Sequence, residues 1–332
     1  MKIKFIIGLL VLMFLLGNLL FFGIILSSNN KIVEEEIGEE EIRLSFVGDI
    51  MTSRTVLKKI NWFGVKTPFK YLKEHLSNSD ISFGNFEGTI SDKEGIQWKK
   101  CCEFKSPSKI VNGLVWSGID IISITNNHMM DYGPEVYQDT IDNLENFGIR
   151  TIGANYNSGY SNSQDFKIIE VKGKKIGFLG YYDNEYNKWY IHDAKWFPQP
   201  LVYKEEFFLE DIENAKEQVD ILVVSIHWGE EYEVFHNDRQ EDIGHLAIDN
   251  GANIVIGHHS HVVQEIEEYH KGIIAYSLGN FVSDQPTSLT PEGNKDKTKE
   301  SIVLDVYVDK ENNLNYKINE IKIVNRCQPR LI

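Results

Sequence analysis

Beyond residue 41 the chain alternates short apolar runs of strand length with amphipathic stretches of helical period. The runs IRLSFVGD, ISFGNFE, IDIISITNNH, DILVVSIHWGEE, ANIVIGHHSH and GIIAYSLGN are apolar at consecutive rather than alternate positions. Strands buried on both faces read this way, so the pattern predicts a sheet covered by helices or by a second sheet. Each run stops at polar residues: Asp49, Asn85 with Glu87, Asn126 to His128, His227, His258 to His261, and Asn280. Pro134 to Phe147 starts with Pro after Gly133 and stops before Gly148, with Val136, Tyr137, Ile141 and Leu144 on one stripe, which predicts a helix. Arg239 to Asn250, stopping before Gly251, repeats the design. Ile302 to Val308 and Tyr316 to Val324 predict late strands that complete a second sheet or its edge. The alternation predicts an α/β architecture, in which ligand sites lie beyond the carboxyl ends of the strands.

The N-terminus adds a different element. Phe5 to Leu26 carries no charge and one strongly polar residue, Asn18. At about 1.5 Å per residue this run reaches roughly 33 Å, enough to cross a bilayer core of about 30 Å. Lys2 and Lys4 precede it, and Glu34, Glu35, Glu36, Glu39, Glu40 and Glu41 follow. The positive-inside rule then predicts a cytoplasmic stub and one transmembrane helix over 1–26, an acidic linker over 27–41, and a single extracytoplasmic domain over 42–332. A cleaved signal peptide has a shorter apolar region and a small-x-small site, which Leu26-Ser27-Ser28 does not supply, so an uncleaved anchor in the cell membrane is expected.

Composition narrows the partners. With 42% hydrophobic residues the chain has the core content a disordered polymer lacks. Its 34 Lys and Arg against 49 Asp and Glu give a net charge of −15, which argues against a general nucleic-acid binder. An anionic partner must therefore be held locally, by a metal or a small basic cluster. Arg54, Lys58 and Lys59, with Lys99, Lys100 and Lys105, are candidates for a basic rim, and the aromatic stretch Tyr181 to Phe197 for a loop over the site. Of the three cysteines, Cys101 and Cys102 are adjacent, so unpaired and partly buried thiols are the simpler reading.

Five of the ten histidines, His128, His227, His258, His259 and His261, stand at three strand ends. The H-x-H pair His259 and His261 puts two imidazoles on one side of a turning segment, as borderline ions such as Zn, Mn or Fe accept. Asp49 and Glu87 offer hard oxygen ligands, and Asn127 a neutral carbonyl oxygen. Asp131 and Glu231 are placed to orient His128 and His227. Asn85, Asn126, His258, Asn280 and Arg54 are expected to contact substrate. No G-x-S-x-G elbow, P-loop or dinucleotide fingerprint competes with these clusters.

Asp49 after a strand, N-x-E, N-N-H-x-x-D-Y-G from Asn126 to Gly133, H-W-G-x-E-Y from His227 to Tyr232, G-H-H-x-H and S-L-G-N-F, in this order, closely resemble the CapA family of poly-γ-glutamate capsule synthesis. That family is similar in turn to the calcineurin-like metallophosphoesterases. The resemblance spans Arg43 to Gln285 and implies layered β-sheets flanked by helices. It also implies Asp49 and His261 at a first divalent ion and Asn127, His227 and His259 at a second. His128 would stand near the scissile phosphate as general acid or charge stabiliser. The chain departs from the metallophosphoesterase pattern at Asp49-Ile50-Met51, where the family has Asp-x-His, and at the bridging Asp, whose place falls to Glu87 or Asn85. One or two ions are therefore expected. The implied function is metal-dependent phosphoester hydrolysis or transfer in the biosynthesis, export or attachment of an anionic envelope polymer. The alternative is a non-catalytic accessory subunit that binds the polymer or its membrane-bound synthase.

Overall fold

A computed structural model describes residues 41–96, 102–156, 166–185, 198–285 and 290–332. Every described residue lies in one compact unit, Glu40–Ile332. The expected anchor, most of the acidic linker, Lys99, Lys100, Cys101 and residues 186–197 of the aromatic stretch fall outside the described residues. Among the described residues no helix is long and apolar enough to cross a membrane.

The chain opens with β1 (Ile42–Ile50), followed by α1 (Arg54–Phe63), α2 (Lys73–Ser77), β2 (Ile81–Phe86), α3 (Val111–Ser117), β3 (Ile121–Ser123), α4 (Pro134–Glu145) and β4 (Arg150–Ile152). The hairpin β5 (Lys167–Val171) and β6 (Lys174–Tyr182) comes next, then α5 (Glu205–Lys216), β7 (Ile221–His227), α6 (Asp238–Asn250) and β8 (Ile254–His258). It closes with β9 (Ile266–Tyr269), β10 (Gly272–Ala275), β11 (Asn280–Val282), β12 (Glu300–Val308), β13 (Leu314–Val324) and β14 (Gln328–Leu331).

The first sheet runs β14-β13-β12-β1-β2-β3-β4, with β11 pairing to the end of β1; the second runs β9-β10-β8-β7-β6-β5. The strands β1 to β4 are parallel, as are β6, β7, β8 and β10. The expected alternation of strand and helix is thus present, folded as two stacked sheets. Leu44, Phe46, Ile81 and Phe83 of one sheet and Phe178, Val223, Ile254 and Ile256 of the other fill the space between them. Phe83 stacks on Phe178 with ring centres 6.1 Å apart.

Helices cover both outer faces. Val56, Ile60, Leu114, Tyr137, Ile141 and Leu144 pack α1, α3 and α4 on the first sheet, while Phe208, Ile212, Ile243 and Ala247 pack α5 and α6 on the second. Pro at the first position of α4 supplies a preset φ, and α6 begins with a capping box between Asn237 and Gln240. The late strands extend the first sheet: β12 runs antiparallel to β1, in register from Ile42 opposite Val308 to Val47 opposite Val303, and β13 runs antiparallel to β12. Ile302, Leu304, Val306 and Val308 then point into the core between the sheets.

Candidate functional site

The carboxyl ends of both sets of parallel strands converge on one rim. Gly48 lies so near Gly279 that a Cβ there would sit 1.9 Å from the Gly279 carbonyl oxygen, which accepts the Asp49 N–H at 3.0 Å. This approach brings β11 beside β1, with Asp49 in register with Asn280 on one side and Asn85 on the other. In the second sheet His227 is in register with His258 and Tyr182. The segment Asn126-Asn127-His128 follows β3, and His259-Ser260-His261 follows β8.

Asp49 is the centre of the cluster. Its Oδ1 accepts from Asn85 Nδ2 at 2.7 Å and lies 3.5 Å from His258 Nδ1; its Oδ2 lies 3.3 Å from His261 Nδ1 and 3.4 Å from the His259 amide nitrogen. Asn85 Nδ2 also stands 3.3 Å from His227 Nδ1, and His227 Nε2 stands 2.9 Å from Asn127 Oδ1. One imidazole thus accepts on one side and donates on the other, the pattern of a neutral ring. Glu87, just past β2, places Oε1 3.7 Å from His261 Nε2 and 3.7 Å from His128 Nε2.

The loop that carries the H-x-H pair is wound tightly. His259 has φ 99° and His261 φ 60°, left-handed values that cost a side-chain-bearing residue roughly 1–3 kcal/mol each. The loop is held by the Tyr232 amide on the Ser260 carbonyl at 2.7 Å and by Asn280, whose Nδ2 donates to the His261 carbonyl at 3.1 Å. Strain kept in place by such contacts fits imidazoles that must point to one spot.

Charge in the site is out of balance. Both Glu87 carboxylate oxygens, both His258 ring nitrogens and His259 Nδ1 are buried without a hydrogen-bond partner. Burial, reinforced by Asp49 and opposed by His261, pushes the Glu87 carboxyl up. Burial would raise Asp49 too, but the imidazoles of His258 and His261 hold it well below the usual carboxylate range. His261 goes up despite burial because Glu87 and Asp49 face it, whereas burial pushes His259 down to about 4 and His227 well down. A buried carboxylate with no donor costs several kcal/mol unless a cation accompanies it. Ligand atoms of Asp49, Glu87 and His261 lie within 4.8 Å of one another, and the His259 ring stands 6.1 Å from that of His261 and 4.6 Å from that of His227, centre to centre. The donor set of oxygen and imidazole fits a divalent ion.

The description "Bacterial capsule synthesis protein PGA_cap" belongs to the family model that matches residues 43–285. The chain belongs to this family. It is 33% identical over 263 residues to the capsule biosynthesis protein CapA of Bacillus anthracis, covering 76% of this chain and 62% of that one. It is 33% identical over 289 residues to the PGA biosynthesis protein CapA of Bacillus subtilis strain 168, covering 86% of this chain and 72% of that one. The chain thus spans less than two thirds of the Bacillus anthracis relative. Among solved structures it is similar to the Haemophilus influenzae NAD nucleotidase, with TM-score 0.51, 11% identity and coverage of 88% of this chain and 53% of the other. It is also similar to a hypothetical protein of Thermus thermophilus, with TM-score 0.50, 15% identity and coverage of 84% and 99%. The likeness is one of fold: layered sheets of mixed α/β type.

Within this PGA_cap domain the expected ligands Asp49, Glu87, Asn127, His227, His259 and His261 come together. His128 joins them, with Nδ1 2.9 Å from Asp131 Oδ2, which also accepts the Phe104 amide at 2.7 Å. The residues expected to contact substrate are engaged within the protein. The Asn126 amide donates to Asn85 Oδ1 and the Phe86 carbonyl, and its Oδ1 accepts the His128 amide. Asn280 is likewise consumed by His261 and the Thr298 carbonyl, and Asn85 by Asp49 and His227. His258 lies behind Asp49 against Phe83, 1% exposed.

Glu231 does not orient His227, whose two ring nitrogens face Asn85 and Asn127. Burial would raise it, but His261, His259 and His128 hold its carboxyl below the usual range. Arg54 is clamped by Asp284, with Nη2 2.8 Å and Nε 3.0 Å from Oδ1, and lies 4.8 Å over the Phe104 ring. Of the lysines expected in a basic rim, Lys59 donates to the Asn325 carbonyl and Lys105 to the carbonyls of Lys93 and Glu94. Met51 is buried, with its sulfur 3.1 Å from Arg54 Nη2. The sequence reading missed Phe104, whose ring stacks on His128 at 4.0 Å, and Asp284, although S-D directly after G-N-F-V placed a carboxylate near β11.

Proposed function

We propose that this chain is a metal-dependent phosphoester hydrolase or transferase acting in assembly, export or attachment of an anionic capsule polymer, anchored in the cell membrane with its folded domain outside. The observation that carries the chemistry is the buried Glu87 carboxylate, without a hydrogen-bond donor, facing Asp49 and His261. Asp49, Glu87 and His261 would hold one ion, and Asn127, His227 and His259 a second. A divalent ion supplies a water of lowered pKa and charge stabilisation for a phosphoryl oxygen. The polymer class rests on the names of the relatives, and the outward orientation on Lys2 and Lys4 before the apolar run and the glutamates after it.

The chain's own residues divide the remaining work. Asp131 accepts from His128 Nδ1, which fixes the tautomer and leaves Nε2, on the Glu87 side, as the atom that carries a proton to a leaving oxygen. The Phe104 ring keeps that imidazole from turning. Asn85 and Asn126 hold Asp49, His227 and the His128 backbone in one connected network, so the ligands are set before substrate arrives.

A second reading has an observation of its own. Met51 stands where the metallophosphoesterase pattern has a ligand histidine, and its sulfur faces Arg54. In that reading the protein is an accessory subunit that holds the polymer or its synthase around one structural ion. The test is metal analysis of the purified full chain with hydrolysis of bis(p-nitrophenyl) phosphate, in wild type and His128→Asn. Bound metal with hydrolysis lost in the variant supports the enzyme; bound metal with no hydrolysis in either and normal capsule output from the variant supports the accessory subunit.

A further inference from the structure

The segment Thr55 to Lys73 holds five lysines, Lys58, Lys59, Lys66, Lys70 and Lys73, and no carboxylate, in a chain of net charge −15. Ile323 to Ile332 adds Arg326 and Arg330, again with no acidic side chain. The fold joins the two: Lys59 donates to the Asn325 carbonyl, Gln328 Nε2 donates to the Thr67 carbonyl at 2.8 Å, and the Arg330 guanidinium lies 5.7 Å over the Tyr71 ring. The result is a continuous basic face on the helical layer of the first sheet.

At its crest stand Trp62 and Phe63, 73% and 71% exposed, edge to face at 6.3 Å. They end α1, and Gly64 turns the chain away behind them. Beside them the Lys66 ammonium lies over the Trp116 ring at 5.1 Å and the Lys70 ammonium over Tyr71 at 4.4 Å, so charge and aromatic surface stand side by side on this face.

We infer that this face docks on an anionic lipid bilayer, with Trp62 and Phe63 entering the interfacial layer and the lysines meeting lipid phosphates. Both halves of the pattern are needed for that choice. A soluble polyanion would use the lysines but leave two neighbouring rings in water, and an apolar protein groove would cover the rings but leave the surrounding charge unmatched. A bilayer interface accepts both: aromatic rings settle at headgroup depth, and each nearby Lys or Arg gains from an anionic leaflet. The apolar run Phe5 to Leu26, read as an anchor, makes the membrane the nearest large surface, so weak contacts suffice. The inference is independent of the catalytic reading, since the face shares no residue with the metal cluster.

The test is hydrogen exchange of the full chain in nanodiscs of phosphatidylcholine alone and of phosphatidylcholine with phosphatidylglycerol. Amides of residues 58–66 and 70–73 are expected to exchange at least about fivefold more slowly in the anionic discs, one lysine near such a leaflet being worth about that factor. Lys58→Glu with Lys66→Glu and Lys70→Glu, or Trp62→Ser with Phe63→Ser, should abolish the difference at unchanged metal content and melting temperature, and Lys271→Glu should not. Equal exchange in the two discs overturns the inference. So does equal protection by soluble polyglutamate in detergent, which makes the face a polyanion site, or protection that rises with protein concentration in detergent, which makes it a contact between copies.

Discussion

A side chain's type announces chemistry, but its neighbours decide which chemistry. Glu87 and Asp305 are both buried acids, and they differ in what surrounds them. Glu87 has no donor, so Glu87→Gln should stabilise the metal-free protein by about 1–3 kcal/mol while lowering bound metal, a sign reversal that thermal melts with and without EDTA would reveal. No gain in the metal-free melt would mean that the carboxylate is satisfied in solution. His259→Ala and His261→Ala should each lose metal, and His270→Ala, exposed beside Asp249, should not. Asp131→Asn should keep the fold and the metal and cut hydrolysis by about 10² or more, because His128 loses the acceptor that sets its tautomer. Unchanged hydrolysis would remove His128 from the proton path. The amides show why part of the site was not legible beforehand. Asn126 and Asn280 sit in the right motifs, but an amide facing a substrate and one facing a carbonyl read alike in sequence, and only the tertiary neighbours, β2 for Asn126 and the His261 loop for Asn280, bring in the carbonyls they meet.

At the scale of elements, the parallel strands were legible because burial on both faces leaves an unbroken apolar run, and their polar ends named the rim. The pairing of β12 with β1 was not, since the partners stand 266 positions apart at one end (308 minus 42) and their register depends on contacts no local pattern carries. That pairing builds a second polar network: Asp305 on β12 meets Arg43 at 3.3 Å, His75 at 3.1 Å and the Ser45 hydroxyl on β1. Burial would raise Asp305, but the hydrogen bonds of His75 and Ser45 and the charges of His75 and Arg43 hold it below its ordinary value. A carboxyl lowered in the folded state stabilises above its unfolded pKa and loses that contribution as pH falls through the folded one. Asp305→Asn should therefore cost about 1–2 kcal/mol at pH 7, with the gap to wild type closing below about pH 4. A gap independent of pH would show that the charge plays no part. Gly48→Ala tests the other junction: with 1.9 Å to a carbonyl oxygen, β11 must move away from β1, and both folding and metal binding should fail together.

For the molecule as a whole, the decisive feature is that the candidate ligands come from both sheets. Asp49 and Glu87 stand on or just after strands of the first, His227, His259 and His261 on or just after strands of the second, and apolar side chains of both sheets pack between them. An ion held by this set links the two sheets at one rim, and it binds only the folded chain, since the ligands lie up to 212 residues apart in sequence (261 minus 49). Binding of that kind adds RT ln(1 + [L]/Kd) to stability, about 2.7 kcal/mol at a hundredfold excess over Kd, or roughly 5 °C in melting temperature for a unit of this size. Titration with Mn, Zn or Fe(II) should raise the melting temperature progressively in wild type and leave His261→Ala nearly unmoved. Hydrogen exchange should slow at the ends of β1, β2, β7 and β8 together, because one ion restrains both sheets. Protection confined to one sheet would place the ion on that sheet alone, and the shared site across the rim would be wrong.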